Sequence, residues 1–330
     1  MARLRLTLAC GDYDRTRSLR DGSVRPDGIE LTYLSLPVEE TFFRMIRHRE
    51  FEVAELSLSS YVHSLQADPS PFVALPVFVS RIFRHGSVYI NAPAGIATPE
   101  DLCGKDVGTP EYQLTACVWI RGILADYHGV PVDSVTYRTG GQEQPGRIEK
   151  ASLDLPDRIR IKPVGPDHTL SHMLASGEID ALYTPRIPRP FAQGDPRVGR
   201  LFPDVIAAEK AYFAASGIFP IMHVVVVRRD IYQAYPWVAQ SLYKAFTLAK
   251  DQAFDRLYDS SALRFMLPWL NPHLEEARQL LGDDYWSYGL DANYNVLGTF
   301  LRYHFGQGLS PRLLRPEELF APEASESAVI

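Results

Sequence analysis

Arginine side chains are the groups in this sequence best suited to hold an anionic ligand, and they fall on three segments. These are Arg81 and Arg84 in Ser80–His85, Arg147 at the end of a Gly/Pro-rich stretch, and Arg186 among prolines. Arginine binds carboxylates through a planar fork of N–H donors. We therefore predict that Arg84 binds ligand carboxylates together with one or more of the other three. Taken singly, each arginine is more readily explained as a solvated surface charge.

A second candidate is the polar run Ser57-Leu58-Ser59-Ser60-Tyr61, which follows a predicted strand, Phe51–Leu56. Hydroxyl groups and backbone amides at the carboxyl end of a strand can bind an anion. Ser57 and Ser59 are therefore predicted to contact the ligand. The alternative is that these serines only cap the helix that follows.

A third candidate is the segment Thr109–Thr115, which leads into a predicted helix over Glu111–His128. The first turn of a helix has free backbone N–H groups, so this segment could face an anionic ligand. Gln113 and Thr115 are predicted to bind the ligand, and Glu111 is a candidate catalytic carboxylate. Glu111 could instead serve only to complement the helix dipole.

Two histidines are candidate proton carriers, because histidine changes charge near neutral pH. His85 lies beside Arg84, and His223 lies where the chain is predicted to cross between lobes. Either could instead be a structural histidine that is hydrogen-bonded within the fold. His168 and His172 share one helix face, but no third ligand follows at a recognisable spacing, so no metal site is predicted.

Composition, charge and hydropathy disfavour several classes of protein. The 330 residues carry a net charge of −6, without the basic excess of a nucleic-acid-binding protein. The three cysteines are widely spaced, which disfavours a disulfide scaffold. Arg3 and Arg5 interrupt the apolar stretch that a signal peptide needs, and no apolar run approaches a membrane span. We expect a cytoplasmic homo-oligomer without nucleic-acid or membrane partners.

The elements that position these residues alternate between strands and helices, which is typical of α/β proteins with mostly parallel sheets. Breaks in composition near residues 95 and 222 predict that the chain leaves one lobe and returns to it. We therefore predict a discontinuous first lobe of residues 1–95 and 222–330 and a second lobe of residues 96–221. Two crossover strands would join them around an interlobe cleft, a common location for a ligand.

Strings along the whole chain resemble the 4,5-dihydroxyphthalate decarboxylase family, within the type II periplasmic-binding-protein-like superfamily. The segments that carry the resemblance are Leu8–Asp14, Val53–Tyr61, Ser80–His85, Val107–Ala116, Pro145–Lys150, Ile218–His223 and Tyr235–Trp237. The resemblance implies a two-lobed fold with two crossover strands. It also implies a cytoplasmic enzyme whose substrate is a small aromatic dicarboxylate.

The implied reaction is loss of one carboxylate from 4,5-dihydroxyphthalate to give 3,4-dihydroxybenzoate (protocatechuate), without an organic cofactor. Whether a divalent metal assists stays open. Such chemistry needs a proton donor near the ring, for which His85 is predicted, with His223 as the substitute. The competing hypotheses are a non-catalytic solute-binding protein for an aromatic carboxylate and a related enzyme acting on another aromatic acid.

Overall fold

The computed structural model describes residues 3–150 and 152–322, which divide into two compact units. The first unit holds the chain up to Arg81, Ile221–Gly298 and the chain from Leu314 onward, and the second holds Ile82–Pro220 and Thr299–Leu313. The predicted lobe boundary near residue 95 is therefore corrected to 81/82. The physical reason is that the strand Val88–Asn91 hydrogen-bonds to strands of the second unit. The predicted interlobe cleft stays a prediction.

The strands in the described residues have the following bounds. They are β1 (Leu4–Cys10), β2 (Ile29–Ser35), β3 (Val53–Ser57), β4 (Phe72–Arg81), β5 (Val88–Asn91), β6 (Asp106–Thr109), β7 (Thr136–Thr139), β8 (Arg160–Pro163), β9 (Ala181–Tyr183), β10 (Val198–Arg200) and β11 (Ile221–Arg228). The α-helices are α1 (Arg17–Arg20), α2 (Val38–His48), α3 (Leu58–Ser64), α4 (Thr115–His128), α5 (Leu170–Ser176), α6 (Arg189–Ala192), α7 (Val205–Ser216), α8 (Arg229–Ala234), α9 (Trp237–Leu257), α10 (Leu270–Leu281) and α11 (Tyr294–Gly306).

The sheet of the first unit has the strand order β2-β1-β3-β11-β4. β1 runs parallel to β2 and β3, whereas β11 runs antiparallel to β3 and β4. The run Val224–Val227 is buried, as expected for a strand in the middle of a covered sheet. Because β1 and β3 are parallel, their carboxyl ends lie at one edge, and the start of the antiparallel β11 lies there too. This edge collects Gly11, Ser57 and His223.

The sheet of the second unit has the order β10-β5-β9-β6-β7-β8. β6, β7, β8 and β9 are parallel, whereas β5 runs antiparallel to β9, and β10 at the edge runs antiparallel to β5. The carboxyl ends of β6, β7 and β9 therefore meet at one edge, where the loops after Thr109, Thr139 and Tyr183 begin. Those loops carry several of the polar residues singled out from the sequence.

The helix predicted over Glu111–His128 begins four residues later than expected, at Thr115. Residues 110–114 form an irregular loop instead, because the Glu111 carboxylate is bound by partners from another loop. The predicted end is confirmed: Gly129 follows the helix in a left-handed conformation with φ of 62°. The apolar stripe of Phe42 and Met45 also indicates a helix over Val38–His48, and the structure has α2 with these bounds and both side chains buried.

None of the helices within the described residues combines the length and the apolar character needed to cross a membrane.

Candidate active site

His223 and Glu55 form a hydrogen-bonded pair in the first unit. His223 pairs with Ser57 in the β3–β11 ladder, and Glu55 pairs with Val225. The two side chains are therefore diagonal neighbours on one face of the sheet, within reach of each other. Nδ1 of His223 lies 2.6 Å from Oε1 of Glu55. Of the sequence-predicted catalytic residues, His223 is the one that the structure places in such a pair.

Glu55 is fully buried and surrounded by hydrogen-bond donors. Its Oε2 accepts from the backbone N–H of Gly11 at 2.9 Å, and its Oε1 accepts from the hydroxyl of Tyr13 at 2.7 Å. Burial alone would raise the pKa of this carboxyl, but the bonds from His223, Gly11 and Tyr13 outweigh burial and hold its pKa below the ordinary value. Glu55 is therefore a buried carboxylate that keeps its negative charge.

Glu55 was not predicted as a site residue, although the sequence contains a signal for it. It is a charged residue within the otherwise apolar strand segment Val53-Ala54-Glu55-Leu56. Glutamate is rarely fully buried unless it is paired, so its position in a covered strand indicates a partner.

The imidazole of His223 is the part of this pair that reaches solvent. Its side chain is 17% exposed, whereas that of Glu55 is 0% exposed. Phe42 packs edge-on against the ring, with 4.9 Å between the ring centroids. Because Nδ1 is taken by Glu55, Nε2 is the nitrogen through which His223 can exchange a proton with another molecule.

Ser57 and Ser59 lie beside this pair in sequence and are both buried. Ser57 ends β3 opposite His223 in the ladder, and Ser59 lies in the first turn of α3. Ser57 occupies the N-cap position of α3, but its side chain makes no capping hydrogen bond. The capping explanation therefore does not account for Ser57, and its role in binding stays a prediction.

Arg81 and Arg84 belong to different units. Arg81 ends β4, and its Nη2 donates to the carbonyl of Ser287 at 2.8 Å and to the side chain of Asn293. This guanidinium therefore links the segment around residues 287–293 to the end of β4 by hydrogen bonds. Arg84 is buried in the second unit, and burial lowers its pKa to about 10. Its predicted role as a carboxylate clamp is not tested by these contacts.

His85 is packed among aromatic side chains, which argues against its predicted role as proton donor. It is 2% exposed and its ring centroid lies 5.2 Å from those of Phe202 and Tyr212 and 6.1 Å from that of His128. Neither ring nitrogen has a hydrogen-bond partner among the described residues. Burial, aided by His128, lowers the pKa of His85 to about 4. The ring is therefore neutral at pH 7, because nothing nearby stabilises its charged form.

Glu111 and Arg147 are joined in the second unit. Nε and Nη2 of Arg147 both donate to Oε1 of Glu111, at 2.8 and 2.6 Å. Oε2 of Glu111 accepts from the backbone N–H of Lys150 at 3.2 Å. Two of the predicted site residues therefore neutralise one another, and the guanidinium of Arg147 already holds a carboxylate of the protein itself. Glu111 is more than the helix-dipole partner that its position before α4 suggests.

Gln113 and Thr115 are buried next to this pair, at the start of α4. The side-chain Nε2 of Gln113 has no partner among the described residues. Glu149, a residue that the sequence reasoning missed, accepts from the backbone N–H of Tyr112. Burial, with a smaller contribution from Glu111, raises the pKa of Glu149 to about 7. Glu149 stands between Ile148 and Lys150, just after the Gly/Pro-rich stretch, and its position gives no sequence signal of such an environment.

Arg186 follows β9 on the second unit and is exposed. Its backbone N–H donates to the hydroxyl of Thr184 at 3.2 Å, and its carbonyl accepts from the side chain of Gln142 at 3.3 Å. The loop is thus held by its backbone. Ligand binding by the Arg186 guanidinium stays a prediction.

Within residues 3–150 and 152–322, no three His, Cys, Asp or Glu side chains are grouped so that they could hold a metal ion. His168 and His172 lie 4.0 and 3.9 Å from the Glu178 carboxylate and are both exposed. This geometry is that of long polar contacts at the surface.

Comparison with known proteins places the chain in a family, although no family model matches it. It is 44% identical to 4,5-dihydroxyphthalate decarboxylase of Comamonas testosteroni over 327 residues, 99% of either chain. It is 46% identical to the 4,5-dihydroxyphthalate decarboxylase of Pseudomonas putida over 215 residues, 65% of this chain and 83% of that protein. The chain belongs to the 4,5-dihydroxyphthalate decarboxylase family. The resemblance predicted from the sequence strings is thereby confirmed.

Solved structures show the fold of this decarboxylase family member. The alkanesulfonate-binding protein SsuA of Xanthomonas axonopodis pv. citri aligns with a TM-score of 0.51 at 13% identity, over 98% of each chain. The periplasmic sulfonate-binding protein SsuA of Methylobacillus flagellatus aligns with a TM-score of 0.54 at 13% identity, over 98% of this chain and 93% of that one. The predicted type II periplasmic-binding-protein-like α/β fold is confirmed.

Proposed function

We propose that this protein decarboxylates 4,5-dihydroxyphthalate to 3,4-dihydroxybenzoate, as a carboxy-lyase of phthalate degradation. The observation that carries the proposal is the 44% identity across 99% of both chains with the Comamonas testosteroni enzyme of that name. The Glu55–His223 pair supports it, because the reaction needs a proton donor.

The ring hydroxyls of the substrate can themselves donate the electron density that the reaction needs. Each carboxylate lies para to a ring hydroxyl, so electron density from that hydroxyl can reach the carbon that bears the carboxylate. Protonation of this carbon forms a C–H bond. The bond to the carboxylate then breaks, carbon dioxide leaves, and the electron pair of that bond restores the aromatic ring. One proton enters the ring for each carbon dioxide released.

His223 is the residue best placed to deliver that proton. Its Nδ1–H is held by the ionised Glu55, so a proton on Nε2 can pass to the ring carbon. The Glu55 carboxylate stabilises the imidazolium and fixes the orientation of the ring, as an acidic partner does for histidine in other acid–base sites. His223, the substitute candidate from the sequence, replaces His85 in this role.

The carboxylate that stays on the ring must be held by cationic or N–H donor groups. Arg84, Arg147 and Arg186 stay candidates for this role, together with the buried polar groups of Ser57, Ser59, Gln113 and Thr115. Arg81 is the weakest of the predicted clamps, because its guanidinium binds Ser287 and Asn293. A cytoplasmic location and a homo-oligomeric state are part of the proposal. Cell fractionation and light scattering test them.

Incubation of the purified protein with 4,5-dihydroxyphthalate tests the function. We expect carbon dioxide release in step with the ultraviolet spectrum of 3,4-dihydroxybenzoate. Binding of the substrate without turnover would support a solute-binding protein instead. Turnover of another aromatic acid, with none of 4,5-dihydroxyphthalate, would support a related enzyme. Repeating the assay after chelation, and after adding back a divalent metal, decides whether a metal assists.

A further inference from the structure

We propose that Tyr13 is a positioning residue that sets how firmly Glu55 holds the proton of His223. The inference rests on the proposed function, in which His223 delivers a proton. Two donors share one oxygen: Oε1 of Glu55 accepts from the hydroxyl of Tyr13 at 2.7 Å and faces Nδ1 of His223 at 2.6 Å. A carboxylate oxygen that accepts a second hydrogen bond is a weaker partner for the first.

The ring of Tyr13 is fixed in this position by its neighbours. A methyl group at Gly11 would lie 2.6–2.8 Å from the Tyr13 ring and hydroxyl, so a glycine is what allows this approach. The guanidinium of Arg15 stacks 4.2 Å from the Tyr13 ring centroid and 4.4 Å from the Trp286 ring. Nε of Arg15 also donates to the carbonyl of Val79 at 2.6 Å. The hydroxyl of Tyr13 is therefore held on Glu55 by packing.

The thiol of Cys10 and the phenols of Tyr13 and Tyr33 stay neutral around Glu55. Burial raises the pKa of Cys10 on β1, Tyr13 after β1 and Tyr33 on β2, and in all three the negative charge of Glu55 adds to the effect. Tyr13 consequently donates its proton at every working pH. The guanidinium of Arg15 lies against the Tyr13 ring.

Removal of the Tyr13 hydroxyl frees Oε1 for His223 alone. Glu55 becomes the stronger acceptor, so the imidazolium persists to higher pH and gives up its proton less readily. In Tyr13→Phe we expect the alkaline limb of the pH–rate profile to move upward by about one pH unit, the size expected from a lost hydrogen bond to a charged group. The plateau rate should fall by about threefold, since proton transfer slows as the donor weakens.

A matched control separates this effect from general loss of packing. The hydroxyl of Tyr33 donates to the carbonyl of Gly11 at 2.6 Å and lies 2.9 Å from the hydroxyl of Thr16, whereas the hydroxyl bonded to Glu55 is that of Tyr13. Like Tyr13→Phe, Tyr33→Phe removes one phenolic hydroxyl from the first unit, but it leaves the bond from Tyr13 to Glu55 intact. We therefore expect the alkaline limb of its pH–rate profile to stay at the wild-type position. Gly11→Ala keeps the Tyr13 hydroxyl but displaces it, and should move the limb in the same direction as Tyr13→Phe.

The histidine side-chain signals of ¹⁵N-labelled protein give a readout that does not depend on turnover. In Tyr13→Phe, the Nδ1–H proton of His223 should shift downfield and its titration should move to higher pH. An unchanged titration, or an equal shift in Tyr33→Phe, would overturn the inference. If the wild-type protein releases no carbon dioxide, the proposed function fails, and the titration still decides the role of Tyr13.

Discussion

Nδ1 of His223 and Oε1 of Glu55 meet at 2.6 Å from diagonal positions on two antiparallel strands, 168 residues apart in sequence. Their separation is set by the backbone register of β3 and β11 and not by a flexible loop. Sites built on strands hold side chains more precisely than sites built on loops. The geometry of the pair is thus set by the sheet itself.

Replacement of His223 by asparagine should lower kcat by about 10²–10⁴-fold, the usual contribution of general acid catalysis. Asparagine can still donate an N–H to Glu55, so folding and substrate binding should be preserved. Steady-state kinetics and a thermal melt check this. His48→Asn, at the exposed end of α2, is the matched control and should keep wild-type kinetics. If His223→Asn keeps more than about a tenth of the activity, His223 does not deliver the proton.

The fold was more accessible from the sequence than the site. The apolar run Val224–Val227 predicts a buried strand, and the apolar stripe of Phe42 and Met45 predicts a helix. Both predictions work because buried side chains recur at a spacing typical of each type of element. The Glu55–His223 contact depends on which strands become neighbours, and β3 and β11 are far apart in sequence. No local sequence pattern indicates which strands become neighbours in the sheet.

The surroundings of His85 are a second feature that the sequence did not indicate. Its place beside Arg84 suggested a proton carrier next to a carboxylate clamp. The structure turns the imidazole into an apolar setting with Phe202 and Tyr212. Adjacent residues need not face the same surroundings, so proximity in sequence does not show which groups surround a side chain.

A double-mutant cycle on Glu111 and Arg147 should show strong coupling. Arg147→Lys keeps the charge but loses the two-pronged contact, and Glu111→Gln removes the charge that it binds. We expect the effects on the free energy of unfolding to be non-additive by about 1–2 kcal/mol. Denaturant titrations of the two single variants and the double variant measure this.

Kinetics of the same variants separate pairing from ligand binding. If Arg147 also clamps a substrate carboxylate, Arg147→Lys should raise KM even in the Glu111→Gln background. Strict additivity of the unfolding free energies would contradict the pairing. An unchanged KM in both backgrounds would remove Arg147 from the carboxylate clamp.

Glu149 should make the protein less stable as pH rises. Burial raises the pKa of Glu149 to about 7 in the folded state, against 4.5 for the ordinary group. Between these values the unfolded chain binds fewer protons at this residue than the folded chain, so the free energy of unfolding falls with pH. Glu149→Gln keeps the acceptor for the N–H of Tyr112 and removes the charge. Its stability relative to wild type should increase by about 2 kcal/mol between pH 4.5 and 7.5.

Urea titrations of Glu149→Gln and wild type at three pH values within this range check the trend. Glu143→Gln is the control, since Glu143 lies in the same segment at intermediate burial. A stability difference that stays constant with pH would show that Glu149 ionises in the folded state as it does in water.

His85 should contribute stability that disappears in acid. Its folded pKa of about 4 lies below the ordinary 6.5, because burial disfavours the charged ring. The contribution is fully present above pH 6.5 and is lost as pH falls towards 4, since the unfolded chain then binds the proton that the folded chain refuses. The full span corresponds to about 3 kcal/mol. His85→Leu fills the same apolar space without a titrating group, so its stability should fall less than that of wild type between pH 7 and 5.

His128 contacts the His85 ring and its pKa is lowered as well, so His128→Leu should show a smaller change in the same direction. Both leucine variants should keep kcat within a few-fold. A 100-fold loss of kcat in His85→Leu, with wild-type acid stability, would instead restore His85 as the proton donor, since general acid catalysis is worth about 10²–10⁴-fold.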